Sequence, residues 1–168
     1  DPSIEIVDKI LMFIFMYAKY SDEEQTMLLK DYAKAKEAET AWNHDKQTLL
    51  NSMKGTDNRI ESLTNQRDEK AKAMAAHVKS LEDGGMSPDD IKKDKTVLSM
   101  TADVDALNKG IEEASSERRE LSTQVMNLEA ERPAFDTDIL ETRIRRSSDL
   151  RGQMMKLGND IADEQKRT

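Results

Sequence analysis

The chain has 168 residues, of which 36% are hydrophobic, 36% charged and 4% aromatic, with no cysteine and a formal net charge of −8. Compact domains are ordinarily about 45–50% apolar, so there is too little apolar surface for a sandwich, a barrel or a doubly wound sheet, whereas narrow helix–helix seams need far less. Residues 1–82 carry 12 Lys/Arg against 15 Asp/Glu, a net of −3 that leaves −5 for the remainder; neither half has the basic footprint of a nucleic-acid binder, and without Cys there are no disulfides, zinc–thiolate sites or thiol catalysis.

The spacing predicts an all-α protein with essentially no sheet: a long antiparallel helical hairpin or coiled coil, elongated, with an apolar N-terminal helix. The first helical stretch opens near Ser3, an N-cap residue preceded by Asp1-Pro2. Its first segment, residues 1–20, contains nine consecutive apolar residues from Ile10 to Ala18. A spanning helix needs about 20, so the run is too short to cross a bilayer. It has the length of a signal-peptide core, but Asp1, Glu5 and Asp8 precede it and no small-residue cleavage site follows. A first long arm over 21–82 is expected next. Ser21-Asp22-Glu23-Glu24 has the capping-box pattern of a break and restart, and Gly55-Thr56-Asp57-Asn58 is a second weak point.

From Leu49 the positions Leu49, Met53, Thr56, Ile60, Leu63, Arg67, Lys70, Met74, His77 and Leu81 alternate by four and three, the coiled-coil repeat diluted by four polar members. A turn is expected at 83–88. Gly84 and Gly85 suit a left-handed helix end, and Ser87-Pro88-Asp89-Asp90 suits a new start. The second arm, 89–132, has a cleaner seam through Val104, Leu107, Ile111, Ala114, Arg118, Leu121, Val125 and Leu128, in which Arg118 alone is out of character. Pro133 ends or kinks the helix. A C-terminal helix over 133–168 then packs back on the N-terminal helix, with Phe135 and Ile139 continuing the earlier phase. A stutter follows, and a new seam of Leu150, Met154, Leu157 and Ile161.

Little here suits catalysis. No phosphate-binding glycine loop, paired-histidine zinc motif or nucleophile elbow occurs. His44 and His77 are 33 residues apart in charged helical stretches, where packing or surface roles are expected. Asp89-Asp90 and Glu23-Glu24 read as helix N-terminal acids. The expectation is no enzyme, no cofactor and no metal.

The unusual element is the run Ile10, Leu11, Met12, Phe13, Ile14, Phe15, Met16, Tyr17. An amphipathic helix leaves one polar face; this one is apolar all round, and the narrow seams elsewhere offer no broad faces to enclose it. Contiguous exposed apolar surface of several hundred Å² marks an association site. A compact bundle burying the run internally is the competing reading.

Ile10-Leu11-Met12-Phe13, then Met16-Tyr17, then Ser21-Asp22, resembles the N-terminal helix of the EspA family, the subunits of filaments that extend type III secretion needles of Gram-negative bacteria. A looser likeness runs through Ala33, Ala35, Glu37, Ala38 and Ala41, and the Met-containing seam (Leu121, Val125, Met126, Leu128, Leu150, Met154) is similar in style to the family's polymerisation helix. The resemblance implies a secreted virulence structure, a hollow extracellular filament acting as a conduit for secreted proteins. Its subunit polymerises through Ile10 to Tyr17 together with Leu150, Met154, Leu157 and Ile161. The implied partners are further copies of the chain, the secretion needle and translocator proteins, and a small helical cytoplasmic chaperone that covers the apolar helix before export. Two other readings stay open: a needle-tip or membrane-interacting translocator component, and a soluble coiled-coil adaptor that dimerises through 98–128. The scarcity of basic residues around the apolar run (Lys9 and Lys19) argues against membrane insertion.

Overall fold

The computed structural model describes residues 2–167; Asp1 and Thr168, at the ends of the first and last predicted segments, lie outside the described residues. The described chain is all helical: α1 (Pro2–Asp83), α2 (Pro88–Lys93), α3 (Lys95–Ala130) and α4 (Thr137–Arg167). It has no strand among the described residues and is a helical hairpin held by coiled-coil seams. Two compact units are distinguished, one of Asp1–Asn43 with Pro133–Thr168, the other of His44–Arg132. α1 contributes to each.

The 82-residue α1 has no interruption, which corrects two expectations. At Ser21 the helix neither breaks nor restarts, because the Ser21 hydroxyl donates to the Ala18 carbonyl 2.9 Å away and so bonds back into its own turn instead of capping a new one. At the Gly55-Thr56 weak point the same device operates, Thr56 donating to the Ser52 carbonyl at 3.0 Å. The helix also begins at Pro2, which places Ser3 within its first turn and not at its cap.

Burial along α1 follows one heptad phase. Alternate steps of four and three from Val7 reach Leu11, Ile14, Ala18, Ser21 and Gln25, and continue to Leu81 through buried or half-buried positions alone. The reading that began at Leu49 therefore caught the second half of a longer stripe. Its first half was hidden because Ser21, Gln25, Glu39 and Lys46 occupy positions that are usually apolar.

In the unit His44–Arg132, α1 and α3 run antiparallel. Lys46 pairs with Glu129 at 2.6 Å, Arg59 with Glu117 at 3.4 Å and Lys70 with Asp103 at 3.2 Å, so each advance along α1 meets a retreat along α3. The seam residues Leu49, Met53, Ile60, Leu63, Val104, Leu107, Ile111, Leu121, Val125 and Leu128 are all half-buried. Ala114 is fully buried. The polar seam members are accounted for as well: Arg118 donates to Asp57, Arg67 to Asn108 at 3.3 Å, and His77 lies 3.2 Å from Asp94.

The turn between the arms takes its shape from residues 84–87. Gly85 adopts φ +84°, the left-handed conformation that costs glycine nothing, and the Met86 amide reaches the Leu81 carbonyl at 3.1 Å. Ser87 caps α2 by accepting from the Asp90 amide. The second arm is not one helix over 89–132. Asp94 is extended, closing α2 and capping α3 at once. One oxygen, Oδ2, accepts from the Thr96 and Val97 amides (3.1 Å each) and faces Nε2 of His77.

α3 ends at Ala130, and Pro133 lies in the connection to α4. Asp136 there takes φ +58°, a left-handed conformation that aspartate tolerates better than most residues.

Candidate assembly surface

In the other unit, α4 lies antiparallel against the beginning of α1. Gln165 donates to Asp8 at 3.4 Å, Arg151 pairs with Asp22 at 3.6 Å, and Thr137 donates to Glu39 at 2.7 Å. Trp42 and Phe135 meet edge to face with centroids 6.4 Å apart. A built Cβ on Gly158 would stand 3.1 Å from the Phe15 ring and 3.2 Å from Cγ2 of Ile14, so the glycine lets α4 approach α1 there.

The inward stripe of α4 is Leu140, Ile144, Ser147, Arg151, Met154, Gly158, Ile161 and Gln165, again spaced by four and three. This corrects the expected C-terminal seam. Met154 and Ile161 face inward, but Leu150 (45% exposed) and Leu157 (49%) do not, and Ile139 is also exposed. Counting apolar residues alone selected the neighbouring stripe, because the inward positions at 147, 151 and 158 hold Ser, Arg and Gly. Glycine was the missed signal: with no side chain it reads as a helix defect when it marks the closest helix approach.

Of the apolar N-terminal run, α4 covers little. Ile14 (4% exposed) and Ala18 are buried, and Leu11 is half-buried. Ile10, Met12, Phe13 (70%), Phe15, Met16 (65%) and Tyr17 are exposed, continuous with exposed Ile6 and Tyr20. Leu150 joins Tyr17, Ser21, Glu24, Leu28, Arg143, Arg146 and Ser147 in lining a cleft of ≈ 350 Å³. Among the described residues the buried apolar side chains are four: Ile14, Ala18, Ile91 and Ala114.

Among the described residues no group of three or more His, Asp or Glu is arranged to hold a metal ion. Among the described residues no helix is long and apolar enough to cross a membrane. The Asp94 carboxyl is held below its ordinary value, first by the Val97 amide and then by His77; this is the mark of a helix cap. What the arrangement offers chemically is apolar contact area on a framework of helices. No family model, curated protein or solved structure matches the chain.

Proposed function

We propose that this protein is a structural subunit that polymerises into an extracellular filament of a type III secretion system, the hollow conduit that the resemblance around Ile10–Asp22 implies. One observation carries the assembly part of the reading: Ile6, Ile10, Met12, Phe13, Met16 and Tyr17 remain exposed on one helix after α4 has packed against it. Burying a large apolar side chain contributes about 1.5–3 kcal/mol, so a handful of them supplies ample drive for association. A contact between unlike faces that does not close into a ring propagates into a fibre. The secretion context, the needle and translocator partners, the helical chaperone before export and the place at the bacterial surface rest on the resemblance.

Negative-stain electron microscopy with sedimentation over a concentration series tests the reading. Uniform filaments, or species growing with concentration, are the expected result. A monodisperse monomer or dimer at high concentration would overturn it in favour of a coiled-coil adaptor.

A further inference from the structure

The exposed surface of the N-terminal unit is not one undivided patch. At 100° per residue, Met16 lies about 200° round the helix from Ile14, opposite the seam. It belongs to an outward ridge of Phe13, Met16, Tyr20, Glu23 and Met27, spaced by three and four, in which every member is exposed and one is charged. A different face carries the cleft, whose apolar walls are Tyr17, Leu28 and Leu150. Its lining holds Arg143 and Arg146 against the single carboxylate of Glu24. The neighbouring arginines are engaged, Arg145 with Glu141 and Arg151 with Asp22, whereas neither Arg143 nor Arg146 enters an ion pair among the described residues. The chain as a whole carries a net charge of −8, so a cleft lined by two guanidinium groups and one carboxylate departs from the average surface.

We infer that this cleft is the socket for the outward ridge of a second copy of the chain, Glu23 of that copy meeting Arg143 and Arg146 while its Phe13, Met16 and Tyr20 cover Tyr17 and Leu150. The inference rests on the polymer reading and deepens it by naming the contact. Shape and charge agree: an apolar ridge with one carboxylate faces an apolar-walled cleft with two arginines, and guanidinium groups bind carboxylates in fixed geometry. The ridge and the socket lie on different sides of the same stretch of α1, so a copy whose socket is filled still presents its own ridge. Such a contact is heterologous, the kind that propagates into a fibre where its rotation does not close a ring. The apolar part supplies the affinity, and the charge pair selects the register.

The test compares wild type with Glu23→Arg, with Arg143→Glu/Arg146→Glu, and with the triple charge swap, by sedimentation velocity over a concentration series with far-UV circular dichroism alongside. Each reversal places like charges together and is expected to raise the concentration needed for assembly about tenfold or more with helicity unchanged. The swap is expected to restore assembly. Added salt should weaken wild-type assembly, since exposed pairs are screened. Wild type assembling while both reversals assemble equally well would overturn the socket and leave the polymer reading standing. So would a swap that fails to restore, or reversals that lose helix in step with assembly. Wild type that never assembles would overturn the polymer reading itself.

Discussion

At the scale of single residues, Asp94 does the most. Its carboxylate caps α3, engages His77 on α1, and so ties the break in the second arm to the first arm. A carboxylate has no proton to donate, so Nε2 of His77 carries the hydrogen in this contact. The bonds favour the ionised form, and the folded-state pKa of Asp94 lies below its ordinary 3.8. For a depressed carboxyl, the stabilisation is present above the unfolded-state value and is lost as pH falls through the folded one. Asp94→Ala should therefore lower the urea midpoint at pH 7, and the gap from wild type should close as the pH is taken well below 3.8. A gap of equal size at pH 7 and pH 2 would mean that Asp94 acts through packing and not through its charge. Asp136 is a second residue where geometry dictates type. At φ +58° a β-branched residue is strained, so Asp136→Val is expected to cost about 1–2 kcal/mol in chemical denaturation and Asp136→Gly nothing.

At the scale of elements, the glycines separate helix propensity from helix packing. Gly55 sits in the middle of α1 with nothing within 4 Å of a built Cβ. Alanine there adds helix propensity without a clash, and Gly55→Ala should stabilise by about 1 kcal/mol. Gly158 has the same propensity deficit, but α4 meets Phe15 and Ile14 there at 3.1–3.2 Å. Gly158→Leu should cost about 1–3 kcal/mol by overpacking, read as a fall in thermal midpoint. The polar seam members likewise gain meaning only as pairs across elements. Lys46, Arg67 and Lys70 each find a partner on α3, and Arg118 of α3 finds Asp57 on α1. Such half-exposed pairs add little stability individually. A shift of one heptad would separate all of them together, and that penalises the wrong register.

At the scale of the whole molecule, the limiting fact is how little is buried. Among the described residues the buried apolar side chains are Ile14, Ala18, Ile91 and Ala114, few interior contacts with which to hold a monomer, and association adds burial that the monomer lacks. Phe13→Asp and Met16→Asp should abolish large assemblies while leaving far-UV helicity nearly intact, because both side chains point away from α4 and are 70% and 65% exposed. Loss of helix in parallel with assembly would show the run to be monomer core. Where wild type assembles, its thermal midpoint should rise with protein concentration, and that of Phe13→Asp should not.

Low apolar and aromatic content, the three–four spacing from Leu49 to Leu81 and from Val104 to Leu128, and the turn chemistry of Gly85 and Ser87-Pro88 sufficed to determine an all-α hairpin from sequence alone. These are local signals, a period and a few backbone preferences, and they need no knowledge of the partner helix. The tertiary structure alone decided the continuity of α1 through Ser21, the break at Asp94, and which stripe of α4 turns inward. Each of these depends on a contact with a distant residue or on a side chain choosing its own helix as partner. Arg151 and Gly158 face inward because Asp22 and Phe15 stand opposite them, while Leu150 and Leu157, the more hydrophobic choice, are left outside. Periodicity reports which residues share a face; only the opposing helix determines which face is covered.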